Sequence, residues 1–142
     1  MKITQKVLDT IFENIDMTPP EMGGILGTSG NNDIDYVRID PGVETDKCCS
    51  YAPDVKVLNQ TIRNWKNMGV EFKGIFHSHY YGVRSLSEGD KKYISVIMGC
   101  MPLMVNSLYF PIALMPNKEL VIYKAYRYKD TVKIIHEDLQ VI

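Results

Sequence analysis

The sequence has no apolar run approaching the roughly 20 residues needed to cross a bilayer, no zinc-finger cysteine spacing and no surplus of charge of either sign. The first absence excludes a membrane-spanning helix. Of the three cysteines, Cys48 and Cys49 are adjacent and Cys100 is alone, an odd count that cannot close an even disulfide framework. Reduced, structural thiols are therefore expected. A formal net charge of -1 argues against nucleic acid as a partner, because phosphate binding needs a concentrated basic surface. The opening Met1-Lys2-Ile3-Thr4-Gln5-Lys6 is too polar to lead into the apolar core of a signal peptide, so a cytoplasmic location is expected. Internal repeats, low-complexity tracts and an evident linker are also missing.

What is present suits one globular domain spanning residues 1–142. The chain is 142 residues long, 45% hydrophobic and 23% charged, enough for one core and too short for two ordinary ones. From Ile3 to Ile15, Ile3, Val7, Leu8, Ile11, Phe12 and Ile15 recur at helical spacing until Pro19-Pro20 ends the helix. Glu21 to Gly27 is short, apolar and glycine-rich, which suits a strand packed closely against other backbone. Turn residues Gly30 to Asp33 separate it from a second strand near Ile34 to Ile39, and Asp40 to Ser50 reads as a loop or irregular edge. After Pro53, the stripe Val55, Leu58, Ile62 and Trp65 predicts a second helix that stops at Gly69.

Phe72 to Phe76 then reads as a buried strand, and Tyr80 to Leu86 as a loop. Ser87 opens a third helix reaching about Met98, with Tyr93, Ile94 and Ile97 facing inward. Ser107 to Met115, Glu119 to Tyr128 and Thr131 to Ile135 complete the strands. The order α-β-β-α-β-α-β-β-β predicts an α/β (α+β) class with a mixed β-sheet packed against helices.

Chemistry concentrates where the Phe72 strand ends, at His77-Ser78-His79, followed after seven residues by Ser87-Glu88-Gly89-Asp90. Side chains on a strand repeat every two residues, so both imidazoles face one way and can reach one ion. A carboxylate from the next element completes a His₂-carboxylate set, which leaves a fourth position for water on zinc. A carboxylate outside the metal shell can accept that water's proton, and Glu21 is the candidate. A hydroxyl can donate to the oxyanion on an attacked carbonyl, and Ser87 is the candidate. Each piece also has a structural reading. The histidines suit a hydrogen-bonded strand end, Ser87 and Asp90 form a capping-box pattern, and Glu21 suits a solvated charge before a strand.

Glu21, His77-Ser78-His79 and Ser87-x-x-Asp90 together resemble the motif of the JAMM (MPN-plus) zinc metalloproteases. The resemblance runs from about residue 3 to residue 128. It includes the Glu21 to Gly27 strand, Ser50-Tyr51-Ala52-Pro53-Asp54 with the helix after it, and Gly74-Ile75-Phe76 before the histidines. It implies a cytidine-deaminase-like JAB/MPN fold, one Zn²⁺ on His77, His79 and Asp90, Glu21 as general base and Ser87 as stabiliser of the tetrahedral intermediate. It also implies hydrolysis of an amide or isopeptide bond after the glycine tail of a ubiquitin-like protein. The family's usual proline after the second histidine is replaced by Tyr80, and Tyr80 and Tyr81 are expected to line the substrate groove. Two alternatives are a non-catalytic scaffold of the same fold and a cupin-like metal protein recruiting Glu88 and His136. A small-molecule amide is the alternative substrate class.

Overall fold

The computed structural model describes residues 1–43 and 51–142. The far part of the loop expected over Asp40 to Ser50, with Cys48 and Cys49, lies outside the described residues. The helices are α1 (Gln5–Asn14), α2 (Val55–Asn67) and α3 (Glu88–Cys100). The strands are β1 (Lys2–Ile3), β2 (Gly23–Thr28), β3 (Tyr36–Asp40), β4 (Glu71–Tyr80), β5 (Ser107–Tyr109), β6 (Ile112–Met115), β7 (Glu119–Tyr128), β8 (Thr131–Glu137) and β9 (Gln140–Val141).

Each helix starts where a side-chain oxygen meets an otherwise unpaired backbone N–H. Thr4 accepts from Val7, Asp54 from Val57 and Ser87 from Asp90, each satisfying one of the donors that a helix start leaves open. Pro53 therefore lies just before α2, and Val55 in its first turn is exposed rather than part of the buried stripe.

The main sheet has seven strands and is mixed. β2 runs antiparallel to β3 on one side and β4 on the other. β5 and β6 both run parallel to β4 and antiparallel to β7, which pairs with β8. The single strand expected over Ser107 to Met115 is thus two. Pro111 lies between them and has no N–H to continue a ladder, although its carbonyl accepts from the His77 N–H at 3.2 Å. A second, two-stranded sheet pairs β1 with β9 in parallel.

Alternation along the strands divides the core. Ile25, Ile75, Ile112, Leu114 and Val121 pack with Leu58 and Trp65 of α2 and Ile94 and Met98 of α3. Leu26, Phe76, Ala113, Met115 and Ile122 pack with Val7 and Ile11 of α1. A period of two on the strands thus sends neighbouring residues into opposite layers. His77 and His79 share the parity of Ile75, so they face the α2 and α3 layer. The Arg127 guanidinium holds the far end of α3 by donating to the carbonyls of Met98, Met101, Pro102 and Val105. Such donors complement the unpaired carbonyls of a helix C-terminus.

Glycine at 74 is required by contact. A Cβ there would lie 2.0 Å from the Tyr109 carbonyl oxygen across the β4–β5 pair. Gly74→Ala should cost about 1–3 kcal/mol through this overlap, against the roughly 0.5–1 kcal/mol alanine normally gains over glycine inside a strand. Urea midpoints measure the sign. A variant as stable as the parent would mean that β4 and β5 are not so closely apposed.

Candidate metal centre

β4 is paired on both sides at His77 and with β6 at His79. Gly23 of β2 lies opposite His77, while Ile112 and Leu114 of β6 lie opposite His77 and His79. This double pairing fixes the two imidazoles at the C-terminal end of a central strand. Their Nε2 atoms approach to 2.9 Å. Asp90, in the first turn of α3, places Oδ1 at 3.3 Å from His77 Nε2 and Oδ2 at 3.2 Å from His79 Nε2. Glu21 comes from the residues leading into β2. One of its carboxylate oxygens and the two histidine nitrogens lie within 4.8 Å of one another.

His79 carries a constraint on its protons. Its Nδ1 is 2.9 Å from the Val83 carbonyl oxygen. A carbonyl only accepts, so Nδ1 carries the hydrogen and the neutral ring turns the Nε2 lone pair toward Asp90 and His77. One hydrogen on His77 Nε2 can satisfy His79 or Asp90 but leaves an acceptor facing an acceptor at 3.2 Å. The cluster therefore calls for one more positive centre, a proton or a metal ion.

The spacing suits a metal. Zinc–ligand distances of about 2.0–2.1 Å in a tetrahedron place ligand atoms about 3.3 Å apart, close to the 2.9, 3.2 and 3.3 Å separations found here, the last two ending on different oxygens of Asp90. The Nδ1–H bond to a backbone carbonyl is the outer contact that ordinarily fixes a ligating histidine. His77, His79 and Asp90 form the tight triangle. Glu21 stands beside the histidines, within reach of an ion that they hold.

The electrostatics follow. Burial opposes charge on Asp90, but the hydrogen bonds that His77 and a protonated His79 donate, the His77 charge and the Ser87 N–H hold its carboxyl well below the usual range. For His79, burial disfavours the cation, yet the bonds to Asp90 and Val83 and the charges of Asp90 and Glu21 raise its pKa overall. Burial pushes the Glu21 carboxyl up, only partly offset by His77, His79 and the Tyr51 N–H.

Ser87 and Asp90 make a reciprocal capping box. The Asp90 N–H donates to Ser87 Oγ at 3.0 Å, and the Ser87 N–H to Asp90 Oδ2 at 2.9 Å. The capping pattern and the metal-type geometry thus coexist in the same residues. Ser87 Oγ accepts in this pair, which leaves its own hydrogen available to a neighbour in the cavity that Ser87 lines.

The even-numbered residues of the same strand hold Glu21. Ser78, fully buried, donates its N–H to the Met22 carbonyl and accepts the Met22 N–H on Oγ. The Tyr80 hydroxyl donates to the Pro20 carbonyl at 3.1 Å and accepts from Ser78 Oγ. Both neighbours of Glu21 are thereby tied to β4. Tyr80 borders the cavity but is only 6% exposed, whereas Tyr81 beside it is 72% exposed. The expected substrate wall thus divides into an exposed ring and a buried support.

Asp40 was not legible as part of this site. It is 3% exposed and accepts from the Gly42 N–H, the Tyr51 hydroxyl and the Asp54 N–H. The Tyr51 N–H in turn donates to Glu21 at 3.2 Å. The Tyr-x-Pro-Asp stretch gave the only hint of it. Glu88 and His136, needed by the cupin-like alternative, do not join the cluster. Glu88 is exposed and pairs with Lys91, and His136 lies exposed on β8, packed edge-on to Tyr123.

No protein-family model and no curated protein matches the sequence. Solved structures do. A protein from Desulfitobacterium hafniense, determined in solution, superposes with a TM-score of 0.66 at 20% identity, covering 99% of this chain and 92% of that one. The crystal structure of a JAB1/MPN domain protein from Archaeoglobus fulgidus superposes with a TM-score of 0.54 at 20% identity, covering 100% and 99%. The chain therefore has the JAB1/MPN fold, as the sequence resemblance implied, and not that of a cupin. No helix among the described residues is long and apolar enough to cross a membrane.

Tyr80→Phe should lower stability by about 1 kcal/mol, the net value of a typical buried hydrogen bond, while leaving the ring packed. Thermal melting would check it. An unchanged melting temperature would mean that the Pro20 contact contributes nothing.

Proposed function

We propose that the protein is a zinc-dependent metallopeptidase of the JAMM type that hydrolyses an amide or isopeptide bond. The observation that carries this reading is the triangle of His77, His79 and Asp90, with the Glu21 carboxylate beside it and the Ser87 hydroxyl at its rim. His77, His79 and Asp90 would hold the ion. Zinc, when bound, acts as a Lewis acid that lowers the pKa of a coordinated water toward neutrality.

Glu21 accepts the proton of the attacking water and delivers it to the leaving amine. Held by the Tyr51 N–H on one oxygen, its carboxylate keeps further lone pairs for that water. Ser87 donates its hydroxyl to the oxyanion that develops on the attacked carbonyl, a group most useful when fixed before reaction. The capping box supplies that fixation.

The substrate in this reading is an extended chain, most simply the glycine-rich tail of a ubiquitin-like protein. An extended peptide pairs through backbone hydrogen bonds that are indifferent to side chains. Glycine at the scissile bond lets backbone approach a crowded centre closely. The exposed Tyr81 ring would flank the entering chain, with Tyr80 behind it.

Glu21→Gln separates base from ligand. It should keep a full equivalent of zinc and lower turnover by about 10²–10⁴, measured by cleavage of ubiquitin-like fusions and by elemental analysis on the same sample. Near-normal hydrolysis would place the base elsewhere, and loss of zinc would make Glu21 a ligand. Tyr81→Ala should change the preference between glycine and bulky residues at the cleavage site without changing zinc content. A tail series differing at the two residues before the scissile bond tests this, and an unaltered preference would remove Tyr81 from the groove.

A further inference from the structure

The cavity does not end at the metal cluster. Its volume is about 510 Å³, within the roughly 300–1,000 Å³ of sites that hold small ligands. Beside the cluster it is lined by Ile75, Tyr93, Ile94 and Phe110, and by Tyr51 and Pro53. Register places these one step beyond the ligands. Ile75 precedes His77 by two residues on the same face of β4, about 6.6 Å back along the strand. Tyr93 and Ile94 follow Asp90 by one turn of α3, on the face that carries Asp90. Phe110 joins β5 to β6, the strands that flank β4.

The character of the space changes along this direction. The charged residues lining the cavity are Glu21, His77, His79 and Asp90, all in the metal cluster. The recess beyond them is walled by aliphatic and aromatic carbon. Its side-chain polar groups are two uncharged tyrosine hydroxyls. The Tyr51 hydroxyl is already given to Asp40 at 2.8 Å. The Tyr93 hydroxyl stays neutral, its pKa pushed up to about 12 by burial and then by the Asp40 charge. A charged side chain entering such a recess would lose its hydration without a partner. Water there finds few hydrogen bonds, and displacing poorly held water with an apolar group favours binding.

We propose that this recess is a specificity subsite that accepts a bulky apolar or aromatic side chain of the substrate, carried away from the scissile bond. It rests on the metal-centred reading of the same cavity. The substrate class it selects is a chain that combines a slim backbone at the reacting carbonyl with an apolar anchor nearby. A tail made only of glycine and charged residues would leave the recess empty and bind weakly.

Two hydroxamates with the same chelating head test the subsite. Acetohydroxamate ends in a methyl group and phenylacetohydroxamate in a benzyl group. On the zinc-loaded protein, calorimetry should find the benzyl compound bound roughly tenfold or more tightly, as burial of a phenyl ring requires. Tyr93→Ala, once shown to melt cooperatively, should bring the two affinities close together. On metal-free protein, benzyl alcohol should shift the methyl NMR signals of Ile75 and Ile94. Equal affinities of the two hydroxamates for the parent, or methyl signals that do not move, would overturn the subsite. If neither hydroxamate binds the zinc-loaded protein, the zinc reading fails, and the methyl shifts alone decide the recess. If Tyr93→Ala does not fold, the parent's affinity ratio and methyl shifts decide it.

Discussion

The arrangement at the end of β4 turns on a shortage of positive charge. Two imidazole nitrogens and a carboxylate meet at 2.9–3.3 Å, and the Val83 carbonyl fixes the hydrogen of His79 on the far side of its ring. With both rings neutral, lone pairs are left pointing at one another. In a partly buried site such opposition is costly unless a cation sits among them. The strand pairing on both flanks of β4 and the capping box of α3 hold the groups in this opposition. His79 and Asp90 cannot turn away without giving up the Val83 carbonyl and the Ser87 N–H.

The supports are distributed by the geometry of a strand. Odd positions, His77 and His79, face the cluster. Even positions, Ser78 and Tyr80, pass through to the other layer and fasten the backbone on either side of Glu21. A second clasp comes from Asp40, whose buried carboxylate gathers Gly42, Tyr51 and Asp54, and Tyr51 reaches Glu21 through its N–H. Every buried polar side-chain atom among the described residues has a hydrogen-bond partner, as a rigid polar site demands. Glu21 and the His77, His79 and Asp90 cluster, positioned by separate elements, are thus held to each other by one strand used on both faces.

What the sequence made legible was local. His77-Ser78-His79 faces one way because of a two-residue period, and Ser87-x-x-Asp90 caps a helix because of backbone geometry within one turn. The Glu21 to Gly27 glycines were readable as close contact, and a Cβ on Gly23 would indeed meet the Phe76 carbonyl at 2.3 Å. The remainder depended on contacts between distant residues. β1 and β9 are two residues each and pair only because the fold brings them together. Asp40 reads as an ordinary strand-end carboxylate until Tyr51 and Asp54 arrive beside it. Tyr80 was expected in the loop lining the substrate groove, but it ends β4, and strand parity turns it into the α1 layer. The apolar lining of the cavity has no signature in the sequence, because Ile75, Ile94 and Phe110 come from separate elements.

The central claim is that a metal ion resolves the opposed lone pairs. The most direct measurement is zinc content by elemental analysis after exhaustive dialysis, for the parent and for a His77→Ala, His79→Ala variant shown to be folded. The account predicts one zinc per chain in the parent and essentially none in the variant. A folded variant that keeps a full equivalent of zinc, or a parent that takes up none, would contradict it.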